Sequence, residues 1–199
     1  MLDRTIPFYN VILRCDRYQT TEFSLPDGFS FRPYRAGDEK AWAALEYEIG
    51  DFESPEAAER YFVTTYCADR RQTERRCIFL TRGGEEIIGS CIAWRDRREA
   101  EIVASLHWLA VSPAFQRQKL GEALCRETMG LFQSLCEMPV YIHTQPWSYR
   151  AILLYVKLGF QLLTTDSFAG YENQYASAMR VLKGILSEEQ YRELVLHSR

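Results

Sequence analysis

Short apolar runs alternate with amphipathic stretches along the chain, a pattern typical of strands interleaved with helices. Apolar runs at 29–34, 75–82 and 87–96 favour strands, and the Gly-Gly-Glu-Glu segment between the last two predicts a hairpin turn. Residues 99–111 predict a long strand that is apolar on both faces, as expected at the centre of a sheet. Three further strands are predicted, at 140–145, from Phe160 onward and within 171–182.

The helices are predicted from apolar periodicity and from the residues at their ends. Five helices are predicted, at 37–50, 54–69, 118–136, 148–159 and 187–197. Ser54 and Pro55 suit the N-cap and the first position of the second helix. Gly159 is the expected end of the fourth helix, and Ser187 with Gln190 has the spacing of a capping box.

The predicted order, β α α β β β α β α β β α, mixes antiparallel hairpins with crossover helices. This order indicates an α/β class of the α+β type, built on a mixed sheet. Strand 99–111, helix 118–136 and strand 140–145 form one βαβ unit, so the two strands are expected to be parallel. Ligands bind at the carboxyl ends of parallel strands in such sheets, so the turn after residue 111 is the predicted binding position.

Length and composition narrow the class of protein. The 199 residues suffice for one sizeable core, and the net charge of −3 predicts no nucleic-acid partner. No apolar run approaches the ~20 residues of a membrane span, so no membrane partner is expected. The N-terminal residues have neither a signal nor a transit pattern, which favours a cytoplasmic location. Six cysteines without metal-ligand spacing predict free thiols and no metal site.

The turn from strand to helix carries an unusual cluster of polar and basic residues, Gln116 to Lys119. The first N–H groups of a helix have no intrahelical acceptor, and the helix dipole adds partial positive charge there. Together these features make a site for a pyrophosphate, with Arg117 and Lys119 as additional cations. Gly121 would let the backbone approach the ligand closely. The alternative is an ordinary polar helix start with solvated basic residues.

Two motifs in this region resemble those of one enzyme family. The segment LAVSPAFQRQKLGEAL, residues 109–124, is similar to the acetyl-CoA-binding segment of the GCN5-related N-acetyltransferases, or GNAT family. The segment SYRAILLYVKLGF, which begins about thirty residues later at Ser148, resembles the second motif of that family. The sequence departs from the family pattern at Lys119, which replaces a glycine, and at Ser148, which replaces an asparagine.

The resemblance covers roughly residues 29–182 and implies a GNAT-like domain with a mixed, mostly antiparallel sheet flanked by helices. Residues 1–28 are then expected as an N-terminal extension that covers the acceptor cleft or pairs at a sheet edge. Residues 183–199 add the C-terminal helix.

The resemblance also implies a set of residues that bind acetyl-CoA. The family strand bulges and pairs its main chain with the pantetheine arm, which corresponds here to Leu109, Ala110 and Val111. Ser148 and Tyr155 lie on one helix face and would line the cofactor groove, with Tyr155 giving a proton to the departing thiolate. The alternative for Tyr155 is an ordinary core tyrosine with its hydroxyl at the rim. The phosphate-binding positions are Gln116, Arg117, Gln118, Lys119, Leu120, Gly121 and Glu122.

The strand before the turn resembles that of serotonin N-acetyltransferases, which have two histidines two residues apart, at the positions of Ser105 and His107. An amine with a pKa of about 10.4 is protonated at neutral pH, so a nearby base is required before it can attack. His107 is the candidate base, and Ser105 lies on the same strand face and could relay a proton through water. The alternatives are a buried neutral His107 without a catalytic role, or His143 as the base.

The sequence therefore predicts an enzyme that transfers the acetyl group of acetyl-CoA to a primary amine by direct attack through a tetrahedral intermediate. The acceptor is a small molecule or a peptide, and carboxylates near Phe52 and Trp108 could hold a cationic, partly apolar amine. Two alternatives stay open, a CoA-binding module without turnover and an acyltransferase with another acyl-CoA donor. A homodimer is the expected oligomer, since two-fold dimers are the commonest assemblies.

Overall fold

The computed structural model describes residues 3–199 and joins seven strands into one hydrogen-bonded sheet of order β2-β3-β4-β5-β6-β1-β7. The strands are β1 Val11–Cys15, β2 Phe29–Pro33, β3 Cys77–Arg82, β4 Glu86–Arg98, β5 Glu101–Val111, β6 Val140–Thr144 and β7 Gln161–Leu162. The helices are α1 Glu39–Ile49, α2 Pro55–Thr65, α3 Arg70–Arg76, α4 Leu120–Ser134, α5 Tyr149–Lys157, α6 Tyr175–Ile185 and α7 Glu188–Leu196.

The predicted mixed α/β fold is confirmed. Strand β5 pairs in parallel with β6, through Ala104 with Val140 and Ser105 with Tyr141, as the βαβ unit requires. The pairs β2–β3, β3–β4, β1–β6 and β1–β7 are antiparallel. The sheet is therefore mixed and mostly antiparallel.

Several predicted helix ends are also confirmed. The Ser54 side chain accepts a hydrogen bond from the backbone N–H of Ala57 over 3.1 Å, with Pro55 at the first helical position. Just beyond α5, Gly159 has a φ of 93°, a left-handed conformation that suits glycine. The capping box of α7 forms between Ser187 and Gln190. These ends depend on neighbouring residues only, which is why the sequence predicts them.

The strand predicted within 171–182 is wrong, because these residues enter helix α6. Ala178, Met179 and Leu182 are its buried residues, and their spacing is that of one helix face. The strand predicted from residue 75 begins later, at Cys77, because the polar residues before it form α3. Asp69 caps α3 by accepting a hydrogen bond from the N–H of Gln72.

The N-terminal residues contribute a strand that the sequence did not reveal. β1 pairs with β6 on one side and with β7 on the other, so it does not lie at a sheet edge. Val11, Ile12 and Leu13 are buried, which explains why this short apolar run occupies the interior of the sheet.

The chain folds into two compact units, each with its own core. The first comprises Thr20–Trp94 and Leu106–Leu131, and its core is rich in aromatic side chains, namely Tyr34, Trp42, Phe62, Tyr66 and Phe79. The second comprises Asp3–Gln19, Arg95–Ser105 and Phe132–Arg199, and one of its clusters contains Ile12, Tyr141, Leu163 and Phe168. Within residues 3–199 no helix has the length and apolar character needed to cross a bilayer.

Candidate functional site

The turn between β5 and α4 has a backbone suited to an anion. Arg117 and Lys119 both adopt left-handed conformations, with φ of 64° and 60°. The N–H of Ala123 donates to the carbonyl of Lys119, so the helical hydrogen bonds begin there. When left-handed residues alternate with others ahead of a helix, the backbone N–H groups point into one concavity. Such a concavity binds phosphate oxygens favourably. The four side chains from Gln116 to Lys119 are exposed, so a diphosphate can reach this turn.

The side chains around the turn divide into those that brace it and those that face solvent. The Gln116 side-chain amide donates to the carbonyl of Val111 over 2.9 Å, which ties the turn to the end of β5. Glu122 pairs with Arg126 one helical turn further on, at 2.8 Å. Leu120 is buried in the core. Arg117 and Gln118, by contrast, extend into solvent, where Arg117 can meet a phosphate.

Lys119 occupies the position where the family pattern has glycine, and its φ of 60° shows why glycine suits that position. A lysine there keeps its backbone N–H but adopts a strained conformation. At Gly121, an added methyl group would lie 3.7 Å from Cγ2 of Val111, an ordinary contact. The protein's own packing therefore does not require glycine at residue 121, and its predicted role in close approach of a ligand stays a prediction.

Strand β5 departs from regular extended geometry just before the predicted pantetheine-binding residues. Trp108 has a φ of 51° inside the strand, the left-handed conformation found in one kind of β-bulge. Ala110 and Val111 follow it and are buried, whereas Leu109 is half-buried. The resemblance implies a bulge in this strand, and the left-handed backbone of Trp108 marks the residue where it would lie.

His107 has a side-chain partner that the sequence did not indicate. Its Nδ1 lies 2.8 Å from the hydroxyl of Tyr66, which follows α2 and packs edge-on against Trp94. If Nδ1–H donates to the tyrosine oxygen, Nε2 carries the lone pair that can take a proton. Forty-one residues separate Tyr66 from His107, so no local pattern could have linked them.

The remaining predicted catalytic residues lie in the second compact unit. Ser105 is almost fully buried, at 1% exposure, and is paired with Tyr141 of β6. Tyr155 lies in α5 with 5% exposure, and its ring centroid is 5.8 Å from that of Phe160. The Ser148 hydroxyl accepts a hydrogen bond from the Gln145 side chain over 3.0 Å and keeps its own proton available to donate.

His143, the alternative base, contacts Asn10 and Tyr171. Its Nε2 lies 2.8 Å from the side-chain oxygen of Asn10, and its ring stacks on Tyr171 with centroids 3.5 Å apart. Asn10 and Tyr171 therefore fix the orientation of this ring within the second compact unit.

Four aromatic side chains form a cluster that includes Trp108 of β5, the residue after His107. Each pair of ring centroids in this aromatic cluster is 5.3–6.4 Å apart, among Trp42, Phe52, Tyr61 and Trp108. The acidic residues near it differ in exposure, since Glu48 and Glu53 face solvent whereas Glu46 is completely buried. Ser90 of β4, which sequence patterns did not single out, is the hydrogen-bond partner of Glu46.

The chain belongs to the acetyltransferase (GNAT) family, whose model matches residues 41–160. No curated protein sequence is a significant match. Among solved structures, the chain is similar to a GCN5-related N-acetyltransferase from Sphaerobacter thermophilus, with a TM-score of 0.59 and 17% identity over 78% of this chain and 49% of that one. It is also similar to the ribosomal-protein-S18-alanine N-acetyltransferase from Escherichia coli, with a TM-score of 0.52 and 23% identity over 66% of this chain and 76% of that one.

These comparisons define the class of the protein. The structural similarities establish the GNAT fold, and the family match assigns the chain to a family of acetyltransferases. The chain spans about half the length of the Sphaerobacter protein. Among residues 3–199, no group of three His, Cys, Asp or Glu side chains is arranged to hold a metal.

Proposed function

We propose that this protein is an N-acetyltransferase that transfers the acetyl group of acetyl-CoA to the primary amine of a small molecule or a peptide. The observation that carries the proposal is the turn from Gln116 to Lys119. This turn suits the diphosphate of acetyl-CoA. Its side chains are exposed, two of its residues are left-handed, and the fifteen-residue helix α4 begins just after it.

The acetyl donor is a thioester, which supplies an activated carbonyl and a tolerable leaving group. We assign the backbone of Leu109, Ala110 and Val111 to its pantetheine arm, because main-chain groups can bind it while the side chains of Ala110 and Val111 remain in the core. Ser148 retains a hydroxyl proton that can donate to the same ligand.

The acceptor amine must lose a proton before it attacks, which costs roughly 4–5 kcal/mol at neutral pH for a lysine-like amine. We assign this proton to Nε2 of His107, with the hydroxyl of Tyr66 holding Nδ1. As the bond from nitrogen to the acetyl carbon forms and the carbon–sulfur bond breaks, the departing thiolate takes a proton from Tyr155. Ser105 is the candidate relay between the amine and His107.

The aromatic cluster supports a cationic, partly apolar acceptor. Phe52, Tyr61 and Trp108 are all half-buried, so their rings are partly accessible. The faces of aromatic rings attract ammonium groups, and their area favours an apolar body attached to the amine.

Calorimetry with CoA and a thiol-release assay with a panel of amines test the proposal together. We expect a measurable CoA affinity and release of thiol with at least one arylalkylamine, polyamine, amino acid, aminoglycoside or peptide. CoA binding without release with any amine would favour the non-catalytic module, and faster release from longer acyl-CoAs would favour another donor. The absence of any CoA affinity would refute the proposal.

The role of Tyr155 has a matched control on the same helix. Tyr155→Phe should lower kcat with little change in acetyl-CoA affinity, because only the proton donor is lost. Tyr149→Phe makes the same chemical change six residues earlier and should leave kcat unchanged. Equal kcat values for the two variants would remove the acid role from Tyr155.

A further inference from the structure

Glu46 of α1 is a buried carboxyl group outside the proposed catalytic residues. It has no exposed surface, and its Oε1 lies 3.1 Å from the hydroxyl oxygen of Ser90 on β4. Its Oε2 has no hydrogen-bond partner among residues 3–199. A buried carboxylate without a cationic partner is costly, so the neutral form is favoured. The pKa of Glu46 is accordingly raised well above its ordinary value. Burial is the largest cause, and the nearby charge of Asp51 adds a smaller increase.

The Ser90 hydroxyl has a second neighbour that determines how its proton is used. Its oxygen lies 3.2 Å from the carbonyl oxygen of Trp108, the left-handed residue of β5. A serine hydroxyl has one proton, so it cannot donate fully to both neighbours. A neutral Glu46 removes this conflict, because its carboxyl proton can donate to Ser90 while Ser90 donates to Trp108.

The carbonyl of Trp108 fixes the direction of a predicted acetyl-CoA contact. In a trans peptide the carbonyl and the following N–H point in opposite directions. Since the Trp108 carbonyl points toward Ser90 on β4, the N–H of Leu109 points away from β4. Leu109 is the first of the three residues whose backbone is assigned to the acetyl-CoA arm.

We propose that Glu46 and Ser90 are positioning residues, which hold the left-handed backbone of Trp108 so that the N–H of Leu109 is directed at acetyl-CoA. This inference rests on the proposed acetyltransferase function and adds two residues to it. A bulky residue in a left-handed conformation persists only where its surroundings hold it, and the hydrogen-bonded chain from Glu46 through Ser90 to Trp108 provides that support.

Three variants test the inference. Ser90→Ala breaks the chain, and Glu46→Met removes its first donor while filling the same space. Glu46→Gln keeps a donor, because its amide N–H can replace the carboxyl proton. We expect Ser90→Ala and Glu46→Met to lower kcat/KM for acetyl-CoA by about tenfold, because a misdirected N–H keeps only part of what a well-placed hydrogen-bond donor contributes. KM for the amine should stay the same, and Glu46→Gln should retain kcat/KM for acetyl-CoA within about threefold.

The outcomes separate this inference from the proposed function. If the wild type is active and kcat/KM for acetyl-CoA is the same in Ser90→Ala and Glu46→Met, the positioning role is overturned and the proposed function stays intact. A loss in Glu46→Gln as large as in Glu46→Met would also overturn it, since the carboxylate itself would then be required. A wild-type protein without CoA affinity would instead refute the proposed function. Thermal unfolding of each variant verifies that it is folded, and the Glu46 pair keeps the test valid should Ser90→Ala not fold.

Discussion

Replacing Gly89 by alanine should destabilise the protein, because β4 and β5 approach each other closely at this residue. A methyl group at Gly89 would lie 2.9 Å from the carbonyl oxygen of Ala110. It would also lie 3.3 Å from Cδ2 of Leu124 and 3.4 Å from Cβ of Leu80. The contact with Leu80 is an ordinary one and the end of the Leu124 side chain can adjust by a few tenths of an ångström, but the carbonyl of Ala110 can move only if β5 moves with it.

The size of the effect follows from overpacking a rigid neighbour, which typically costs about 1–3 kcal/mol. For a chain of this length each kcal/mol lowers Tm by about 2–4 °C, so Gly89→Ala should lower Tm by about 2–12 °C. Gly130 is a matched control, because it lies in α4 and an added methyl group there meets nothing within 4 Å. Gly130→Ala should raise Tm by about 1–4 °C, since alanine is favoured over glycine in a helix by about 0.5–1 kcal/mol.

Thermal unfolding followed by circular dichroism measures both variants under the same conditions. The two substitutions add the same methyl group, one against the carbonyl of Ala110 and the other where nothing lies within 4 Å. A Tm for Gly89→Ala equal to or above that of the wild type would refute the reasoning about this contact. A calorimetric titration with CoA adds a second readout, in which Gly89→Ala should bind more weakly because β5 is displaced at residue 110.

Three other substitutions test separate features of the site. Lys119→Gly should be more stable than Lys119→Ala by about 1 kcal/mol in urea unfolding, because only glycine relieves the left-handed backbone at this residue; equal stabilities would contradict this. The raised pKa of Glu46 means that its contribution to stability is full below the ordinary pKa of 4.5 and is lost as pH rises through its folded-state value. Glu46→Gln should therefore gain stability relative to the wild type as pH rises above 4.5, and a difference independent of pH would reject the shift. Tyr66→Phe should lower kcat/KM for the amine by about tenfold, which is a fraction of what a general base contributes. KM for acetyl-CoA should stay unchanged. Unaltered amine kinetics would show that Tyr66 does not orient His107.

The parts of the fold that could be predicted are those encoded by neighbouring residues. The βαβ unit from β5 to β6 follows from two apolar runs and one amphipathic helix, and the capping box of α7 follows from Ser187 and Gln190. The interior position of β1 could not be predicted, because Val11–Cys15 pairs with Val140–Thr144, far along the chain. In 171–182, aromatic and small residues suit a strand as well as a helix, and burial of one face of α6 decided the outcome.

The site shows the same division between local and distant information. The turn with Arg117 and Lys119 could be predicted from the sequence, because its polar residues are adjacent. The contacts of Tyr66 with His107 and of Glu46 with Ser90 were not visible, since they span forty-one and forty-four residues. The left-handed backbone of Trp108 could not be located from the sequence, because the strand carries no glycine to mark it; the resemblance implied only that the strand bulges.

The distribution of left-handed residues connects these observations. Six residues other than glycine have positive φ within residues 3–199, and three of them lie between the end of β5 and the start of α4, namely Trp108, Arg117 and Lys119. Such conformations each cost of order 1–3 kcal/mol and must be held by their surroundings. Ser90 holds Trp108, and the bond from Gln116 to Val111 holds the turn that contains Arg117 and Lys119. Side-chain hydrogen bonds are therefore present at both places where glycine would relieve the strain. The backbone at Trp108 and the turn from Gln116 to Lys119 should both loosen when those bonds are removed.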